Sequence, residues 1–175
     1  MSHCPFTALK RRWRLLAFSA LLLALVASSP VLGSENQADA PPVPETIVGM
    51  GLTELIDGKQ AVEIINRMHQ GNVATQANFI ARYQEGASTA TYYVSLYDDP
   101  RQAVEDMDEM ARIMAREGHG FSHLMLRTMA ETPFYMALGQ GQAHYFFARD
   151  LELIWLAVDM DIAEQALEEI LQPVN

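Results

Sequence analysis

The sequence predicts an α+β domain: a single antiparallel sheet of about five to six strands with about three helices packed on one face, in the order α-β-β-α-β-β-β-β-α. Three observations predict it. Some stretches place apolar residues three and four apart and then meet glycine or proline, which is the pattern of a helix with one buried face. Other stretches alternate apolar and polar residues, as half-buried strands do. The turns between successive strands are short, which makes those strands antiparallel neighbours.

The first helix is expected over 59–70, after Asp57-Gly58, with Ala61, Val62, Ile65, Met68 and His69 on one face and Gly71 closing it. The second is expected over 100–117. Asp99 stands at its N-cap and Pro100 at its first turn, where a missing N–H costs nothing. Its stripe is Ala103, Val104, Met107, Met110, Ala111 and Met114, and Gly118 stops it. The third is expected over 161–171, entered through Asp161 and barred from extending by Pro173. Each helix thus follows an aspartate able to cap free N–H groups.

Strands are expected over 77–83, 89–97, 121–130, 134–138, 142–148 and 151–158. The first two form a hairpin across Glu85-Gly86-Ala87, and the last four form a meander through Thr132-Pro133, Gly139-Gln140-Gly141 and Arg149-Asp150. Alternating rather than continuous apolarity needs helices on one side only, hence the single covered face. Lys59-Gln-Ala-Val-Glu and Arg101-Gln-Ala-Val-Glu open the first two helices, a likeness that shared helix-opening chemistry explains as well as duplication does.

Ahead of this lies a leader. Lys10, Arg11, Arg12 and Arg14 precede an apolar run over 15–27, and Ser28, Ser29 and Pro30 break it before small residues suited to cleavage after Gly33. Residues 1–33 therefore read as a signal peptide, 34–46 as a proline-rich flexible linker, and 47–175 as one domain. The expected location is periplasmic or extracellular, with an uncleaved N-terminal membrane anchor as the alternative. The run is short for a span, which takes about 20 apolar residues.

No acid precedes Glu35, so losing the leader removes four of the 12 basic residues and leaves eight against 22 acids, a net charge of −14. Such a surface repels phosphate backbones and anionic lipid, so neither a nucleic-acid partner nor a membrane-surface partner is expected beyond passage of the leader itself. The one cysteine, Cys4, lies inside the leader. The mature chain accordingly has no disulfide, thiol nucleophile or thiolate ligand.

Three groups of residues could carry chemistry. Met107, Met110 and Met114 stripe one helix, His119 and His123 follow it, and Met68-His69 ends the first helix. Thioether and imidazole hold copper, especially Cu(I), where thiolate is lacking; a methionine stripe is equally a way to fill a core. The metal candidates are His69, His119, His123, Met68 and Met114. Gln140, Gln142 and His144 surround a glycine turn that could face a polar small molecule or simply join two strands. Tyr93 and Tyr97, with Tyr83 on the neighbouring strand, could form an exposed recognition face or cross-strand pairs.

Catalytic groupings do not emerge. Ser122 and His123 are consecutive in a strand, so their side chains are expected on opposite faces. Glu152, between Leu151 and Leu153, is expected to point to solvent. The reading is an exported, non-enzymatic binding or accessory module for a protein partner or small ligand, without a cofactor. The alternative is a Met/His copper- or metal-handling protein. Copper or zinc retained by the purified mature domain separates them, and the most informative structural observation is whether the sheet face opposite the helices is open and whether His69, His123 and His144 converge.

Overall fold

A computed structural model describes residues 40–69, 75–116 and 120–172. The leader, most of the linker, the first helix's expected stop at Gly71, and His119 lie outside the described residues. The elements are β1 (Thr46–Ile47), β2 (Met50–Ile56), α1 (Gly58–Met68), β3 (Ala77–Glu85), β4 (Ser88–Leu96), α2 (Pro100–Met114), β5 (Phe121–Met129), β6 (Thr132–Gly139), β7 (Gln142–Arg149), β8 (Glu152–Asp159) and α3 (Ala163–Leu171). All strands join one antiparallel sheet in the order β1-β2-β3-β4-β8-β7-β6-β5. The fold is α+β with a single antiparallel sheet.

The strand count and the order differ from expectation: eight strands, arranged ββαββαββββα. The additional pair, β1 and β2, escapes notice because β2 is an outer strand whose middle five residues are half-buried or exposed, so it carries no regular alternation. Val48 and Gly49 join the pair with φ of 50° and 76°, the mirror-image turn that suits a two-residue hairpin. A β-branched residue resists that conformation. Here the Val48 N–H is held at 3.1 and 3.0 Å by the two carboxylate oxygens of Glu169 in α3.

Helices cover both faces of the sheet, which corrects the expectation of one. Paired strand residues share a face. One row therefore runs Ile80, Tyr93, Trp155, Phe146, Tyr135, and the opposite face carries Ala81, Tyr92, Leu156, Tyr145, Met136. Helix α1 lies on the first face, where Ala61 and Ile65 bury against Ile56 and Ile80. Helix α2 lies on it too, across β7 and β8. Helix α3 lies on the second, packed on β8 and β1, and its Ile170 carbonyl accepts a hydrogen bond from Arg149. The cause is legible in β7 and β8, where His144, Tyr145, Phe146 and Phe147 in one strand and Leu153, Ile154, Leu156, Ala157 and Val158 in the other are all buried. Continuous apolarity of this kind marks a strand covered on both sides.

Capping differs among the helices. Asp99 caps α2 as expected, its side chain accepting from the Arg101 N–H at 2.9 Å. Asp57 sits at the N-cap of α1 without a side-chain bond, and Ile162 rather than Asp161 occupies that position in α3. Packing of their apolar faces, more than their caps, must hold α1 and α3. Between β5 and β6 the turn is Ala130-Glu131, both with positive φ, while Thr132 and Pro133 belong to β6.

Polar pins hold the sheet's ends. Asp159 at the close of β8 accepts from the Thr89 backbone N–H (2.8 Å) and hydroxyl (3.1 Å) on β4 and from the Gln142 carboxamide (3.0 Å) on β7. Burial disfavours that charge, but these donors outweigh it and hold the carboxyl below its usual range. Ser95 donates to Asn78 at 2.7 Å across β4 and β3. No buried side-chain nitrogen or oxygen among the described residues lacks a partner. No helix among them is long and apolar enough to cross a membrane.

The end of the expected linker is seated on the domain. Val43 packs against the core, and Tyr83, only 1% exposed, donates its hydroxyl to the Pro44 carbonyl at 2.6 Å. Tyr83→Phe removes this bond without changing shape and is expected to cost about 1 kcal/mol, measured by urea denaturation. An unchanged midpoint would show that the strap contributes nothing to stability.

Candidate functional site

The first sheet face carries an aromatic row in strict register across four strands: Tyr93 on β4, Trp155 on β8, Phe146 on β7 and Tyr135 on β6. Ring centroids lie 5.7 Å apart for Tyr93 and Trp155, 6.3 Å for Trp155 and Phe146, and 5.2 Å for the stacked Phe146 and Tyr135. These are favourable aromatic separations. Helix α2 crosses the row and is tied at its polar edge, where Tyr135 donates to Asp108 (3.1 Å) and Tyr97 to Asp106 (2.8 Å).

Trp155 is fixed from one side. Its indole N–H donates to Nδ1 of His144 at 3.1 Å, and His144 Nε2 lies 3.0 Å from the Gly139 carbonyl. An indole nitrogen can only donate, so Nδ1 must accept, and the network assigns the proton to Nε2, which donates to Gly139. His144 is thus neutral. Burial lowers its pKa, against the opposing effect of the Gly139 bond.

Phe121, on β5, completes the corner. Its ring meets His144 edge-on at 4.9 Å and Trp155 at 6.0 Å. It occupies this place because Gly139, its partner across β5 and β6, has no side chain: a Cβ there would lie 2.5 Å from the ring.

Between this corner and the C-terminal ends of α1 and α2 is a cavity of about 70 Å³, lined by Met68, His69, Met110, Ile113, Met114, Phe121 and Trp155. It opens on a seam. Ile56, Ala61, Ile65 and Ile80 form a small cluster under α1, separate from the main core that α2 covers, with Met68 and Tyr93 at its edge. Met110 and Met114 are one turn apart and share a helix face. His69 is the C-cap of α1, its backbone N–H bonded to the Ile65 carbonyl at 3.0 Å, so its ring leaves the helix beside Met68. Burial lowers the His69 pKa, partly offset by the charge of Asp106.

Of the five metal candidates, the fold gathers Met68, His69 and Met114 at this cavity. His119 lies outside the described residues. His123 stands exposed at a bulge in β5, with φ of 56° and its Nδ1 2.9 Å from the Ser122 hydroxyl. The bulge overturns the expectation that Ser122 and His123 diverge, because the register shift turns their side chains to one side. The pair stands on an outer strand, and neither residue lines the cavity. No group of three or more His, Cys, Asp or Glu placed to hold a metal occurs among the described residues.

Most of the other candidates are engaged within the fold. Tyr83 and Tyr93 occupy opposite faces, so no joint tyrosine surface forms. Tyr83 is buried, Tyr97 is buried just past β4, and Tyr93 packs beneath α1. Gln142 is engaged by Asp159, His144 by Trp155 and Gly139, and Gln140 is exposed in its turn at φ of 54°. Glu152, expected to be solvated, pairs with Arg149 at 3.1 Å.

Sequence reasoning missed Trp155 and Phe121. A tryptophan in a strand apolar on both faces was a signal for the first. Nothing local marked Phe121, whose place depends on the Gly139 pairing.

Two outcomes follow for the His144 corner. With the folded-state pKa values of His69 and His144 depressed, stability is complete above the unfolded value of about 6.5 and falls as the pH drops below it, since only the unfolded chain takes up the protons. The loss cannot exceed about 1.4 kcal/mol per pH unit for each histidine. In urea denaturation between about pH 7.5 and about pH 5.5, His144→Gln is expected to show a shallower decline than the wild type; equal declines would refute the assignment. Gly139→Ala is expected to displace Phe121 and destabilise by about 1–3 kcal/mol in the same assay.

Comparisons with protein-family models, with curated proteins and with solved structures find no match to this chain.

Proposed function

We propose that the chain is an exported, non-enzymatic binding module whose ligand seat is the cavity between the ends of α1 and α2. One observation carries the reading. Three thioether side chains and one imidazole line it, whereas the polar groups of Tyr83, Tyr97, Gln142 and His144 are engaged elsewhere in the fold. Export rests on the leader over 1–33, and the expected location is periplasmic or extracellular.

Size narrows the ligand. A volume of about 70 Å³ is far below the roughly 300 Å³ at which pockets for organic molecules begin, and corresponds to about two waters of liquid volume. A seat of this size suits a single ion or a few atoms. A mature charge of −14 disfavours free anions and draws cations toward the domain.

The test is native mass spectrometry of the product exported from the full chain, purified from the extracytoplasmic fraction. The expected result is a chain cleaved near Gly33 that retains a small adduct, and loss of that adduct in Ile113→Phe, which fills the cavity. Purification of an adduct-free domain, or full retention by a folded Ile113→Phe, overturns the binding reading. An uncut product in the cytosol overturns export.

A further inference from the structure

The cavity's donors form a chemically narrow set. Met68, Met110 and Met114 supply three thioethers and His69 one imidazole, while among the described residues no carboxylate or thiolate lines the wall. Thioether sulfur is a poor partner for the oxygen-seeking cations magnesium and calcium, and zinc sites are built from thiolate, imidazole and carboxylate. It is a good partner for soft Cu(I). Met107, one turn earlier in the same stripe, is buried core away from the cavity.

The geometry points to a Cu(I) site whose ligands come from the Met68, Met110 and Met114 sulfurs and the His69 imidazole, with the Trp155 indole as a wall. The inference rests on the reading of this cavity as the ligand seat.

Charge favours the same ion. Neutral ligands leave a buried ion with its own full charge, and one positive charge is far less costly to bury than two. The indole contributes a cation–π attraction, and its bond to His144 holds it in place.

Positioning comes from the fold. Met110 and Met114 project from one face of α2, Met68 and His69 from the end of α1, and the two helices are set on the sheet by separate clusters. Ligands on two independently seated elements let an ion close the seam between them.

The test is an anaerobic titration of the exported mature product, first stripped of ions, with Cu(I) in competition with a chromophoric chelator. The expected result is one ion bound per chain. Trp155 is the only tryptophan left once Trp13 departs with the leader, so quenching of its emission should track occupancy. Zn(II) under the same conditions should give no quenching. Met110→Leu and Met114→Leu conserve volume, and each should weaken binding at least about tenfold. The Met68→Leu/Met110→Leu/Met114→Leu combination should abolish binding while near-ultraviolet circular dichroism stays native.

Absence of Cu(I) binding by the wild type, or wild-type affinity in the folded triple variant, overturns the Cu(I) assignment. Should the exported protein still retain another adduct that Ile113→Phe expels, the binding reading survives and the ion's identity alone falls.

Discussion

The hydrogen bond from the Trp155 indole to His144 Nδ1 is the constraint on which the rest of the site depends. It fixes the imidazole tautomer, and the remaining N–H is then directed to the Gly139 carbonyl. Gly139 in turn leaves the space that Phe121 enters, so a chain of contacts runs from the centre of the sheet to its outer strand. The two hydrogen bonds satisfy polar groups that burial would otherwise leave costly. Together they give the cavity a stiff floor, against which the methionines, with their several rotatable bonds, are the adaptable part.

That floor is stable because β8 and β7 sit at the middle of the sheet with helices on both sides. Core side chains project from both surfaces of these strands, Phe146 and Trp155 toward α2, Phe147 and Ile154 toward the face of α3. The burial is concentrated there, while β5 at one margin and β2 at the other leave Leu126 and Leu52 exposed. The site lies where this well-packed middle meets the smaller cluster under α1. A cavity at such a seam is a consequence of two hydrophobic clusters, each seating its own helix, whose contours need not match.

Much of the architecture was legible. All three helices and the six strands from β3 to β8 stand where periodicity and turn residues predict, because their patterns are local and strong. What failed did so for identifiable reasons. The outer strand β2 has no clean alternation, being half-buried or exposed along its middle. The second covered face was written in the unbroken apolar residues of β7 and β8, a signal that period-two reasoning alone overlooks. At the site, Met68-His69 and the α2 stripe were visible as chemistry, but their convergence depends on strand order. The order sets the free edge of β8, the last strand of the meander, against β4, and no local pattern encodes that adjacency. The tyrosines misled because alternation tells which residues share a side, not whether a helix lies over it. The bulge at Ser122 and His123 shows the same limit, since one extra residue reverses facing.

The clasp between Val48 and Glu169 has a consequence for how the chain reaches its final form. Two ends separated by 121 positions are joined through a backbone amide whose conformation is otherwise unfavourable. The turn at Val48 can take this bond only once α3 is seated. Likewise β4 waits for β8. The sheet and its first hairpin are therefore completed only by contacts to the last two elements, β8 and α3.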